Sequence, residues 1–139
     1  LTTGTVEFSS SYQVQVINAI PAWPAPATLT EVRSGLDGNS VVTLANTKLK
    51  AGKMAMLDMV FSRTDGTTPD ITPYLGAIAH IVAVTDDGDS LIHVHPMAGS
   101  KPTQGMIHVT FPAKGMYRVW VQFTDSAQIR TVPLAVKVQ

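Results

Sequence analysis

Alternation of apolar and polar residues is the feature that most constrains what this chain can fold into. It is clearest at residues 116–123, where Tyr117, Val119, Val121 and Phe123 occupy every second position. Successive side chains of a β-strand point to opposite faces, so such a segment buries one face and exposes the other. No window of helical length keeps an apolar stripe free of glycine, proline or β-branched residues. We therefore predict an all-β chain.

Turn signals divide the alternating segments into short strands at intervals of about ten residues. The clearest are Lys50-Ala51-Gly52, Asp65-Gly66, Asp87-Gly88 and Lys114-Gly115. In addition, Tyr117 follows the turn glycine Gly115 by two residues, as in the tyrosine corner of immunoglobulin-like domains. This pattern predicts an immunoglobulin-like β-sandwich of Greek-key type.

The sequence divides into two parts. We predict that residues 39–139 form the sandwich and that its last strand pairs with 116–123. Pro133 in this last strand has no backbone N–H to donate to a neighbouring strand, so we expect the strand to lie at a sheet edge. Residues 1–38 are predicted to form an N-terminal arm or extra strands, with a proline-rich stretch at 20–26. Trp23 in that stretch either fastens the arm to its own domain or anchors a protein partner.

Composition excludes several functional classes. The net charge is +0 and only 14% of residues are charged, which argues against a nucleic-acid partner. The 139 residues include no cysteine, so a soft metal ligand must be methionine and a borderline one histidine. No apolar run is long enough for a transmembrane segment. The absence of cysteine and the start at Leu1 lead us to expect a processed protein, exported to the periplasm or the exterior.

Three of the four histidines lie on either side of one Asp-Gly turn. A hairpin with Asp87-Gly88 at its tip pairs Val82 with His93 and brings His80 opposite His95. The side chains of His80, His93 and His95 then share one sheet face, within reach of a single ion. A slip of one residue in register would move His80 to the other face.

Imidazole suits zinc and Cu(II), whereas a thioether favours Cu(I). Met97 follows His95 closely, so we predict a copper site, with zinc as the alternative, formed by His80, His93, His95 and Met97. More distant candidates are Met54, Met56, Met106 and, if its strand lies beside the hairpin on the same face, His108. The competing interpretation is that the histidines are structural, with His80 bonded to a backbone carbonyl.

Other catalytic or binding sites find little support. Asp86, Asp87 and Asp89 lack the further oxygen ligands of a calcium loop and are better explained as turn residues. The chain has no Gly-x-Ser-x-Gly motif and no glycine-rich phosphate loop. We therefore predict that the protein is not an enzyme.

A set of short motifs runs from Ser40 to Val138. It includes Pro73-Tyr74-Leu75-Gly76-Ala77, His93-Val94-His95-Pro96 and Gly115-Met116-Tyr117-Arg118. In these motifs the chain resembles exported bacterial immunoglobulin-like domains with a histidine and a His-x-His-Pro block flanking an acidic turn. These domains are mostly uncharacterised and sometimes accompany heavy-metal or copper handling. The resemblance implies an exported β-sandwich and points to the same three histidines, although Ala79 replaces a frequent glycine and residues 1–38 have no counterpart.

Two functional hypotheses follow from the sequence. The first is an exported copper-binding or, less favoured, zinc-binding β-sandwich for metal delivery or storage. The second is an immunoglobulin-like interaction or structural module without a physiological metal, whose working surface is the Trp23 segment or an open sheet edge.

Overall fold

A computed structural model describes residues 30–139. Every regular element in this range is a strand, and no helix suited to crossing a membrane occurs there. The strands are β1 (Ser34–Asp37), β2 (Ser40–Leu44), β3 (Met54–Arg63), β4 (Ile71–Thr72), β5 (His80–Thr85), β6 (Leu91–Val94), β7 (Met97–Ala98), β8 (Gln104–Thr110), β9 (Gly115–Asp125) and β10 (Gln128–Val138).

The strands form two antiparallel sheets. Sheet 1 has the order β1-β2-β3-β8-β7, and sheet 2 has the order β10-β9-β5-β6, with β4 also pairing with β9. The prediction of an all-β chain is confirmed for residues 30–139, and two sheets around one core give this part a β-sandwich-like architecture. The predicted pairing of the last strand with 116–123 is also confirmed, since β10 pairs with β9 along its whole length.

The core lies between the sheets and follows the alternation of the sequence. Tyr117, Val119, Val121 and Phe123 all belong to it, as predicted. The rings of Phe61 on β3 and Phe123 on β9 meet with centroids 4.7 Å apart, which joins the two sheets at the centre. Other buried members come from both sheets: Val42, Leu44, Leu57, Met59, Ile81, Ala83, Ile107, Val109, Val132, Leu134, Val136 and Val138.

The Tyr117 hydroxyl makes two hydrogen bonds to the backbone of the turn before β9. It donates to the Ala113 carbonyl at 2.8 Å and accepts from the Ala113 amide at 3.2 Å. The ring also contacts Phe111 with centroids 4.7 Å apart. These contacts tie the turn before β9 to the core.

The outer edge of β10 is covered. Pro133 was predicted to mark a sheet edge, and β10 is indeed the last strand of sheet 2. Every second amide of β10 points away from β9, and Pro133 occupies one of these positions without an amide hydrogen. Three of the others donate to residues 31–37: Thr131 to the Asp37 carboxylate at 2.9 Å, Ala135 to the Val32 carbonyl at 3.0 Å, and Lys137 to the Glu31 carboxylate at 2.8 Å. Residues 31–37 therefore complete the edge.

This N-terminal contribution bears on the domain organisation. β1 pairs with β2, although its residues precede the predicted domain start at residue 39. The structure accordingly places residues 31–37 within the β-sandwich-like unit. Trp23 and the proline-rich stretch at 20–26 lie outside the described residues.

An ion pair between a buried carboxylate and a partly exposed guanidinium links the sheets at one end. Asp125 at the end of β9 accepts hydrogen bonds from Arg63 of β3, at 2.6 Å from Nη2 to Oδ1 and 3.1 Å from Nε to Oδ2. The Ser40 hydroxyl donates to Oδ2 at 2.8 Å and the Asp70 amide to Oδ1 at 2.9 Å. The Arg63 guanidinium holds the pKa of the Asp125 carboxyl well below its usual range, so the carboxylate stays charged although it is buried.

Candidate metal site

The hairpin formed by β5 and β6 has the register that the sequence predicts. Val84 pairs with Leu91 and Val82 pairs with His93. The amide of Gly88 donates to the Thr85 carbonyl at 2.8 Å, and Gly88 adopts a positive φ of 75° at the tip. Glycine tolerates this conformation without steric cost, which fixes the turn and, through it, the facing residues.

Asp87 stabilises this turn directly. Its carboxylate accepts the Asp89 amide at 2.9 Å and the Thr85 hydroxyl at 2.8 Å. These hydrogen bonds hold the pKa of Asp87 below its usual value. The interpretation of these acidic residues as turn formers thus has a structural basis in Asp87.

The three histidines of the hairpin come together on the outer face of sheet 2. Ile92 and Val94 pack against the core, so His93, between them, points away from it. The ring centroids lie 5.9 Å apart for His80 and His93, 4.6 Å for His80 and His95, and 4.9 Å for His93 and His95. One ring nitrogen from each lies within 4.8 Å of the other two.

These separations are close to those of a metal site. Zinc–imidazole bonds of about 2.0–2.1 Å in tetrahedral geometry place ligand nitrogens about 3.4 Å from one another. All three separations are within 4.8 Å, so the nitrogens have to approach one another by at most about 1.4 Å.

A backbone carbonyl orients the most buried of the three rings. His80 is 4% exposed, and its Nε2 lies 2.6 Å from the Tyr74 carbonyl oxygen. A carbonyl only accepts, so Nε2 carries the proton and the lone pair of the neutral ring is on Nδ1. Histidines that bind metals commonly donate their other ring N–H to a carbonyl in this way.

The local electrostatics favour neutral imidazoles. Burial lowers the pKa of His80, an effect that the bond to Tyr74 partly opposes, and nearby His95 lowers it further. Burial also lowers the pKa of His93, with added repulsion from His95 and His80. Because a metal ligand must be unprotonated, both rings are in the competent form at neutral pH.

The competing interpretation predicted a backbone carbonyl as the partner of His80, and the structure has one, but the sequence did not identify it as that of Tyr74. Tyr74 and Ala77 exchange backbone hydrogen bonds of 2.7 and 3.2 Å around Leu75 and Gly76. Both central residues have positive φ, 51° and 83°, as in a type I′ turn. The Leu75-Gly76 pair is the local sequence signal for this turn. Leucine is unusual at a position with positive φ, so the turn is hard to recognise from the sequence.

The remaining sequence candidates lie on strands of the other sheet. Met97 begins β7, where it pairs with Met106 of β8 in sheet 1. His108 of β8 pairs with Met56 of β3, also in sheet 1, and its neighbours Ile107 and Val109 face the core. The condition set for His108 as a fourth ligand, a strand beside the hairpin on the same face, is therefore not met.

The outer face of sheet 2 is more buried than alternation alone predicts. Trp120, Gln122 and Val82 point away from the core, yet they are only 6%, 8% and 2% exposed. The alternation at 116–123 places Trp120 and Gln122 on the outward face of β9, and the structure agrees with this direction. Alternation indicates to which face of a sheet a side chain points, but not whether that face is exposed to solvent. The burial of this face is therefore not predicted from the sequence.

Comparison with known families places the chain in one of them. A family model matches residues 33–139, which include all ten strands. The chain belongs to the family described as a domain of unknown function, DUF8832. No curated protein matches it. Because the family description assigns no activity, the function has to be argued from the site itself.

Proposed function

We propose that this protein binds one copper ion through His80, His93 and His95 and serves in metal delivery or storage. The observation that carries the proposal is the convergence of three ring nitrogens within 4.8 Å at the β5–β6 hairpin. The Met97 thioether is left out of this ligand set because β7 belongs to sheet 1.

The donor set supports copper ahead of zinc. Three neutral imidazoles suit both Cu(II) and zinc, but affinity for divalent ions at a given nitrogen site rises to a maximum at copper. Structural zinc sites close the tetrahedron with four protein ligands, often thiolates. The group contains only three such residues, and the chain has no cysteine.

The burial of the ligands supports exchange of the ion. His80 is buried, His93 is half-buried and His95 is exposed. An exposed ligand at one side leaves a route by which an incoming donor can replace the imidazoles one at a time. This arrangement suits transfer of the ion to a partner, and no catalytic turnover is invoked.

The wider assignment is an exported protein with an immunoglobulin-like fold. The Tyr117 hydrogen bonds to Ala113 support the immunoglobulin-like type. Histidine ligands and the absence of cysteine suit an oxidising compartment such as the periplasm.

Titration of metal-free protein with Cu(II) against a competing chelator tests the proposal. We expect one ion per chain with sub-micromolar affinity, and electron paramagnetic resonance should show nitrogen ligands. A His93→Ala/His95→Ala variant should lose the binding. His108→Ala is the matched control, since it removes an exposed imidazole from the other sheet and should leave the affinity unchanged.

Two results would overturn the proposal. One is wild-type binding no stronger than that of the His93→Ala/His95→Ala variant, with both proteins shown to be folded by circular dichroism. The other is an equal loss of binding in His108→Ala. If the protein does not bind copper but binds one zinc ion tightly, the site is a zinc site. If it binds neither metal, the interaction module is the better hypothesis.

A further inference from the structure

Four of the six methionines lie on the outer face of sheet 1. Met54, Met56 and Met97 are 61%, 50% and 52% exposed, and Met106 is half-buried. Fully burying a side chain of this kind stabilises a protein by about 1.5–3 kcal/mol, so exposing several on one face forgoes that gain. Clusters of exposed apolar side chains generally mark a binding surface.

The strand register places these side chains together with a histidine. Met56 of β3 is directly opposite His108 of β8. Met106 lies two residues before His108 on the same face of β8. It is opposite Met97 of β7 on one side and Asp58 of β3 on the other. Directly opposed residues have Cβ atoms about 4.5–5.5 Å apart and diagonal ones about 7–8 Å, so Met56, His108 and Met106 are mutual neighbours, while Met97 adjoins Met106 on its other side. We call Met56, Met97, Met106 and His108 the methionine face.

We propose that the methionine face is a binding site for a soft monovalent cation, Cu(I), held by the thioethers of Met56 and Met106 and the His108 imidazole, with Met97 adjoining the site beside Met106. Thioether sulfur is the ligand that selects Cu(I) among biological metals. Methionine has three rotatable bonds, so the side chains of Met56 and Met106 on adjacent strands have the freedom to converge on one ion. The carboxylate of Asp58 beside Met106 adds a favourable charge for a cation.

A structural role explains these methionines less well. Met59, on the same strand as Met56, is fully buried in the core and shows where a packing methionine sits in this fold. The members of the methionine face have the opposite orientation, toward solvent. An imidazole at their centre adds a nitrogen donor that an apolar docking surface does not need.

The proposal is independent of the three-histidine site. That site lies on the outer face of sheet 2, and the methionine face lies on the outer face of sheet 1. The two share no residue. Either can therefore fail without affecting the other.

Nuclear magnetic resonance of protein with 13C-labelled methionine methyl groups provides the test, with Ag(I) as a soft monovalent probe that is stable in air. We expect the methyl signals of Met56, Met97 and Met106 to shift and saturate at one ion per chain. The signals of Met59, in the core, and Met116, on sheet 2, should not move. The same response should appear in the His93→Ala/His95→Ala variant.

Substitution then identifies the ligands. Met56→Leu/Met106→Leu should weaken Ag(I) binding at least about tenfold, while Cu(II) binding at the three histidines is unchanged. Leucine is close to methionine in volume, so the fold should be retained. Met116→Leu is the matched control.

Three outcomes would overturn the proposal. The first is no methyl shift at stoichiometric Ag(I), and the second is an equal shift of all six signals. The third is wild-type affinity in Met56→Leu/Met106→Leu, which would leave the face as an apolar surface for a protein partner.

Discussion

Replacing Asp125 with asparagine should remove most of the polar connection between the two sheets. The side chain of Asp125 is 3% exposed and that of Arg63 is 18% exposed. Asparagine keeps one oxygen acceptor but turns an NH2 group toward two of the present donors and leaves the Arg63 charge without its counter-ion. Breaking a buried pair in this way costs about 3–5 kcal/mol, and partial contact of Arg63 with water sets the expected value near 3 kcal/mol.

The effect should depend on pH in a defined direction. The Asp125 pKa is lowered in the folded protein, chiefly by Arg63, so its contribution is complete above the unfolded value of about 4 and declines as pH falls. At pH 3 the unfolded carboxyl is mostly protonated while the folded one is still charged. The difference in stability between wild type and variant should therefore shrink by about 1 kcal/mol from pH 7 to pH 3.

Urea unfolding followed by circular dichroism measures both quantities. Asp89→Asn, which removes an exposed carboxylate from the β5–β6 turn, is the control and should change stability by less than about 0.5 kcal/mol. The reasoning is refuted if Asp125→Asn costs no more than this control at pH 7. It is also refuted if the cost is the same at pH 3.

Three further substitutions test the packing, each by urea unfolding. A Cβ at Gly35 would lie 2.5 Å from the Pro133 carbonyl oxygen, so Gly35→Ala should destabilise by about 1–3 kcal/mol, and wild-type stability would contradict the close approach of β1 to β10. Tyr117→Phe loses both bonds to Ala113 and should cost about 1 kcal/mol, whereas no change would show the corner to be dispensable. Phe123→Ala removes the ring that contacts Phe61 and should lower the free energy of unfolding by about 3–5 kcal/mol. A decrease of less than about 1 kcal/mol would be inconsistent with a packed contact between the sheets.

Local sequence signals predicted the strands and the hairpin because both depend on neighbouring residues. The alternation at 116–123 assigned the core face of β9, and the Asp87-Gly88 turn fixed the pairing of Val82 with His93. Non-local pairing was beyond these signals. Nothing near His108 indicates that β8 joins β3 and β7, so its relation to the hairpin stayed open until the sheets were known.

The same limit applies to long-range polar contacts. Asp125 meets Ser40 and Arg63 from positions 85 and 62 residues away, and no local pattern identifies such partners. Sequence position likewise put Met97 near His95, but β7 enters the opposite sheet. The chain leaves β6 at Val94 and enters β7 at Met97, so only two residues separate strands of different sheets.

The covered edge of β10 has a consequence for how the chain can be dissected. A fragment that starts at residue 39 would lose Glu31, Val32 and Asp37, and with them the acceptors for the Lys137, Ala135 and Thr131 amides. It would also lose β1 and uncover β2. Unpaired strand edges recruit strands from other molecules, so this shorter fragment should self-associate in sedimentation experiments where one starting at residue 30 does not.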